Sequence, residues 1–241
     1  MTIAQQRTFL TAEWKNLLML NYSVDPAHLQ PFVPAGTVLD QFDGRTYISL
    51  IGFEFNKTRV FGQSIPFHQA FEEVNLRFYL RRAEKRGVAF IRELVPKYAV
   101  TAVAHIIYGE NYACVPMSHR IVNTVGNTVA EFSWGSGTSR CMISAQASGE
   151  GYIAEDGSLS QFITEHYWGY ASQRHGGTME YEVQHPKWKV MDANSARFTG
   201  NAEKYYGPEF ANILEKSPDS AFLPEGSAVT VFKGSFIDSE A

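Results

Sequence analysis

Residues 71–80 read Phe-Glu-Glu-Val-Asn-Leu-Arg-Phe-Tyr-Leu, and the fold turns on how they are read. Successive side chains of a strand point to opposite sides, so Val74, Leu76, Phe78 and Leu80 share one face. Glu73, Asn75, Arg77 and Tyr79 share the other. Two architectures accommodate this pattern. In an open amphipathic sheet the polar face meets water. In a closed barrel, Val74, Leu76 and Phe78 pack outward beneath helices and the polar set lines the interior. A lumen of that kind is a small-molecule site. Arg77 would bind a carboxylate through two parallel hydrogen bonds. A desolvated Glu73 would have a raised pKa and could give or take a proton. Strand rise sets the two about 13 Å apart along the chain, too far to pair.

Working outward, the charged stretch Arg81–Arg86 reads as a turn, and residues 87–95 as the second strand of an antiparallel hairpin. Pro96 suits the first position of a helix. The stripe Val100, Val103, Ala104 and Ile107 then predicts a helix over 97–108, which Gly109 can end. Upstream, 16–24 is a short apolar run, 26–33 suits one or two helical turns, and 45–55 reads as a strand. Downstream, strands are expected at 115–124, 128–134, 138–147, 178–184, 187–191 and 228–234. Ser158 with Gln161 three residues later is a capping box that opens a helix, and a short helix is expected over 207–215. The result is a mainly β chain with a few helices outside a sheet or barrel.

The chain has 241 residues, 44 % hydrophobic and 19 % charged, with 17 Phe and 12 Tyr, a balance that argues against disorder. No linker or repeat divides it, so one domain over 1–241 is expected. A net charge of −4 gives no basic footprint for nucleic acid. No apolar run approaches the roughly 18 residues of a membrane span, and the N-terminal stretch lacks a signal-peptide core. The cytoplasm is therefore the expected location. Two cysteines without CxxC spacing, and seven histidines without close pairing, predict no metal site. No phosphate-loop or dinucleotide fingerprint points to a cofactor, and Gly135-Ser136-Gly137 is a turn rather than a nucleophile elbow.

Phe71, Glu73, Asn75, Arg77 and Tyr79 resemble a signature of the YqjF-like family of uncharacterised proteins. Trp14, Leu17, Val24-Asp25-Pro26, Leu29, Pro34, Asp40, Gly44 and Phe53 extend the resemblance upstream. Gly87-Val88, the 102–109 segment, Phe162, Thr164-Glu165, Tyr167, His185 and Trp188 extend it downstream. It covers roughly residues 12–190. Through that family the chain looks related to acetoacetate decarboxylase, which implies a closed, cone-like β-barrel around a polar cavity. The resemblance thereby favours the barrel. It makes Glu73 and Arg77 the candidate catalytic residues, and Asn75, Tyr79, Tyr108 and Tyr112 the candidate substrate-binding residues. The ligand it implies is a small organic acid or carbonyl compound. The decarboxylase works through a Schiff-base lysine, but here Tyr112 stands where that lysine would be, and a phenol forms no Schiff base. A second alignment, through Arg92-Glu93 and Pro96-Lys97, would make Lys97 that lysine, against the register of the helix. Acid–base chemistry, and binding without catalysis, are both compatible with a barrel that has lost its lysine. The related decarboxylase is oligomeric, so the resemblance also allows a homo-oligomer.

Overall fold

The computed structural model describes residues 7–101, 109–174 and 176–237. In chain order its strands are β1 (Thr8–Val24), β2 (Val38–Leu39), β3 (Thr46–Val60), β4 (Gln63–Ser64), β5 (Phe71–Arg82), β6 (Lys85–Val95), β7 (Tyr112–Cys114), β8 (Met117–Thr124), β9 (Asn127–Trp134), β10 (Cys141–Ser148), β11 (Tyr152–Ile153), β12 (Trp168–Ser172), β13 (Thr178–Gln184), β14 (Lys189–Gly200), β15 (Ser220–Pro224), β16 (Gly226–Phe232) and β17 (Ser235–Ile237). Short helices occupy Pro26–Leu29, Leu159–Thr164, Glu203–Tyr206 and Pro208–Leu214. Strands dominate the described residues, so the fold is mainly β.

Seven strands close a ring. β1 pairs with β3, β3 with β5, β5 with β6, β6 with β12, β12 with β13, β13 with β16, and β16 returns to β1. All these pairs are antiparallel except β6–β12. Closing a sheet requires strong local bending, which extra residues supply. The β1–β3 ladder shifts register between Thr11 and Glu13 and again between Lys15 and Leu18, and Asn16 takes a left-handed φ of 55°. Sequence periodicity assigns no element to the first half of β1, because these breaks interrupt its alternation ahead of the apolar run at 16–24.

A second sheet, β8–β9–β10–β14, covers one flank of the barrel. Its apolar residues Phe132, Trp134 and Ile143 share one core with Val74, Leu76, Phe78 and Leu80 of β5. Tyr206, Phe210 and Leu214 from the two late helices join them. The outward face of β5 therefore lies chiefly beneath a sheet, where helices were expected. Strand β14 runs on from the expected 187–191 to Gly200, because after pairing with β15 it continues as the partner of β10. The helix at Ser158 forms as expected, with Gln161 N donating to Ser158 Oγ at 3.2 Å. The reciprocal arm of the cap differs: Gln161 Oε1 accepts from Gly157 N at 2.6 Å. Residues 98–101 are helical, Lys97 just precedes them, and 102–108 of the expected 97–108 helix lie outside the described residues. Among the described residues no helix is long and apolar enough to cross a membrane.

Barrel and covering sheet approach closely at Gly52 on β3. A Cβ there would lie 2.7 Å from the Phe132 ring of β9. Overpacking of this kind in a filled core costs about 1–3 kcal/mol. Gly52→Ala is expected to lower the unfolding free energy by that amount, read as a lower urea midpoint with an unchanged m-value.

Candidate functional site

The polar face of β5 points into the barrel. Glu73, Asn75 and Arg77 all line a cavity of about 190 Å³. That volume exceeds the share of a few liquid waters, about 30 Å³ each, and falls below the roughly 300–1,000 Å³ of drug-sized sites. Aromatic side chains wall it: Phe53 and Phe55 from β3, Phe71 from β5, Phe90 from β6, and Trp14 and Trp188. Phe55 stacks on Phe71 with centroids 4.8 Å apart. Trp188 is buried in this wall, its indole N–H donating to Ser227 Oγ at 2.8 Å, and His185 stacks on it at 4.1 Å.

Glu73 is 3 % exposed and accepts two hydrogen bonds. Asn75 Nδ2 donates to Oε1 at 2.9 Å and Tyr112 Oη to Oε2 at 3.1 Å. Both donors favour the carboxylate, yet desolvation outweighs them and lifts the pKa to about 7. Two further carboxyls share this end of the cavity. Glu93 faces Asn75 across the β5–β6 ladder. Glu110 precedes β7, which brings Tyr112 alongside Glu93 in parallel register. Burial also raises Glu110 to about 7, against a hydrogen bond from Tyr181 Oη. Glu93 rises further, through burial first and then repulsion from Glu110 and Glu73, and it hydrogen-bonds Glu110 as the proton donor. At neutral pH the trio thus holds protons that exposed carboxyls would have lost.

Two local devices build this cluster. The first is a bulge in β6. Asn75 pairs with Glu93 and Leu76 with Arg92, but Arg77 pairs with Phe90, leaving Ile91 as an extra residue. The bulge resets the alternation, so Val88, Phe90 and Glu93 all reach the cavity. Strict alternation over 87–95 puts Glu93 with Ala89 and Ile91 on the opposite face, so alternation alone does not reveal it. The second device is Gly169 on β12. A Cβ there would meet the Tyr181 ring at 2.1 Å, so Tyr181 crosses the strand only over glycine.

The opposite end is cationic. Arg77 Nη2 donates to the carbonyl of Ile163 at 3.0 Å, capping the end of the Leu159–Thr164 helix, whose last carbonyls lack partners within it. Its Cζ lies 5.5 Å from the centroid of the Tyr79 ring. His166 follows that helix, is 7 % exposed and packs on Tyr79 at 4.7 Å. Burial, then the positive charges of Arg77 and Arg86, hold its pKa well below the ordinary value, so the ring is neutral. Nothing in the sequence pattern marked His166.

Tyr79 does not line the cavity. Its hydroxyl donates to Ser49 Oγ at 2.5 Å, Ser49 to Asn21 Oδ1 at 2.6 Å, and Asn21 to Ser220 Oγ at 3.2 Å. That chain ties four strand positions together and leaves Tyr79 a packing role beneath Arg77 and His166. Tyr108 lies outside the described residues. Lys97 is not among the cavity's lining, and among the described residues no lysine is. Residues 102–108 contain no lysine by sequence. Among the described residues no three His, Cys, Asp or Glu side chains converge as a metal site.

Comparison with known proteins places this geometry. A sequence profile of the DUF2071 family, described as uncharacterized conserved proteins, matches residues 11–231, and the chain belongs to that family. The uncharacterized protein YqjF of Bacillus subtilis (strain 168) is 25 % identical over 222 residues, covering 88 % of this chain and 89 % of that one. Among solved structures, the enduracididine biosynthesis enzyme MppR with bound HEPES matches at a TM-score of 0.72 and 11 % identity, over 98 % of this chain and 90 % of that one. MppR has also been solved with pyruvate. An acetoacetate decarboxylase-like enzyme from Sphingomonas wittichii RW1 matches at 0.69 and 12 % identity, over 96 % and 94 %. At these identities the structural likeness shows the fold: this is an acetoacetate decarboxylase-like closed barrel.

The raised carboxyls link stability to pH. Each is about 4.5 in its ordinary state and higher when folded, so the folded form binds the extra protons. Their contribution is complete below about 4.5 and is lost as pH rises through about 7. The melting temperature is expected to fall between pH 6 and 8.5. Glu73→Gln, which cannot ionise, is expected to make that fall shallower in melts across the same range.

Proposed function

We propose that this DUF2071 protein binds a small organic acid or carbonyl compound in the barrel cavity and moves a proton on it through Glu73, without a Schiff-base lysine. The observation that carries the reading is a carboxyl of pKa about 7, held by Asn75 and Tyr112 against an aromatic cavity. A general acid or base works best when its pKa lies near the ambient pH. Glu73 meets that condition, and the neighbouring acid pair Glu93–Glu110 offers a place for the proton to go. Arg77 supplies the complementary charge. One of its nitrogens is fixed on Ile163, which holds the guanidinium in place for a ligand carboxylate. The absence of a lysine from the described lining supports proton transfer over covalent catalysis. Lyase or isomerase chemistry fits such groups. The pyruvate bound by MppR, a protein of the same fold, is consistent with an acid in a barrel of this type.

The test is a thermal-shift panel at pH 7 that includes pyruvate and acetoacetate, run beside borohydride trapping read by intact mass. At least one acid is expected to raise the melting temperature, by the amount its excess over Kd dictates. Arg77→Gln should abolish that rise, and no lysine adduct should form. Ligand-dependent exchange of carbon-bound protons into deuterated water, lost in Glu73→Gln, separates catalysis from simple binding. An adduct on Lys97 would replace this mechanism with Schiff-base chemistry. Acids that stabilise wild type and Arg77→Gln equally would remove Arg77 from the site.

A further inference from the structure

One group in the cavity is matched by nothing around it. His166 is buried and lines the cavity, yet among the described residues neither ring nitrogen has a hydrogen-bond partner. Buried polar atoms nearly always have partners, and an imidazole carries two that need them. His185, in the same wall, shows the ordinary outcome: Nδ1 lies 2.9 Å from the Pro186 carbonyl, and the ring also bonds the backbone of His166. His166 is not loose. Tyr79 and Phe162 hold its ring from two sides, at 4.7 and 5.5 Å. Arg77 lies over the same tyrosine and its Nε is likewise buried without a partner. Two groups with unsatisfied nitrogens, one a cation and one a neutral ring, therefore pack against one phenol.

The walls beside them set what kind of molecule could bring those partners. Phe53, Phe55, Phe71, Phe90, Trp14 and Trp188 line the cavity, and among the described lining residues the acidic and basic side chains are Glu73, Glu93, Glu110 and Arg77. A two- or three-carbon acid would satisfy Arg77 and His166 but leave this aromatic surface facing water. Apolar ligand surface against it gains the burial that a short polar acid cannot.

We infer that Arg77 and His166 together bind the carboxylate of an acid with an aryl or branched-alkyl body, and that the phenylalanine and tryptophan wall takes that body. The inference rests on the acid-binding reading above and names its substrate class. It makes His166 a binding residue that donates one N–H to the carboxylate, while Arg77 supplies the charge.

The experiment is calorimetric titration of the full chain at pH 7 with phenylpyruvate, pyruvate and phenylacetone. Phenylacetone keeps the aryl ketone and lacks the carboxylate. Phenylpyruvate is expected to bind at least about tenfold more tightly than either, since each missing element forfeits burial or a charged hydrogen bond. His166→Ala should weaken phenylpyruvate by about tenfold, and His166→Gln, which keeps a donor, by less. Melts of the unliganded variants establish that each is folded. Equal affinity for phenylpyruvate and pyruvate overturns the aryl-body assignment while acid binding stands. Equal affinity for phenylacetone overturns the carboxylate assignment. An unchanged affinity in folded His166→Ala removes His166 from the site. Failure of both acids to bind, with Arg77-dependent stabilisation by other acids in the thermal panel, sinks this inference alone. Failure of every acid sinks both readings.

Discussion

Keeping three carboxyl groups buried side by side is the constraint on which the rest of this structure depends. In water Glu73, Glu93 and Glu110 would each ionise near pH 4.5. Three such charges in a low-dielectric lumen would repel one another and forfeit hydration. The barrel resolves this by protonation and by aimed donors. Asn75 and Tyr112 serve Glu73, Tyr181 serves Glu110, and Glu93 keeps a proton that it shares with Glu110. Each donor comes from a different strand, so the cluster exists only if β5 and β13 hold fixed places around the ring and β7 stays paired to β6. A closed sheet supplies that rigidity because none of its principal strands is left as a free edge.

The second requirement is burial on both sides of β5. Half-buried strands tolerate error on their wet side, whereas this one has none. Its apolar face is filled by the covering sheet, through Phe132, Trp134 and Ile143. Its polar face meets the cavity at Glu73, Asn75 and Arg77, and a sealed polar chain at Tyr79. Tyr79 marks the boundary between these uses. One residue pair separates a side chain open to a ligand from one whose hydroxyl is committed to Ser49, and period-two alternation assigns both to the same face.

The sequence carried the architecture further than the site. Alternation over 71–80, the hairpin to 87–95, the Ser158 cap and the hairpins of the covering sheet all follow local rules, and local rules survive folding. Glu73, Asn75 and Arg77 were legible because alternation and the family resemblance agreed about them. Glu93 was not, because a bulge reverses the alternation in the middle of its strand. Glu110 was not, because it precedes a three-residue strand whose place beside β6 is a tertiary fact. His166 was not, because what distinguishes it is the lack of a hydrogen-bond partner among the described residues, and no pattern of residue types can display a lack. The long polar half of β14 escaped for a related reason: its pairing with β10 is set by the covering sheet rather than by its own composition.

The bulge at Ile91 also bears on how such a site would read in a relative. Arg92 stands opposite Leu76 and Phe90 opposite Arg77, so Ile91 has no counterpart on β5. Loss of that residue would set Arg92 beside Phe90 and restore strict alternation, with Glu93 still aimed inward and Arg92 outward. The extra residue thus shifts where the inward positions fall along the sequence without changing which side chains occupy them. A related chain one codon shorter here could house the same acidic cluster on a strand whose alternation displays it.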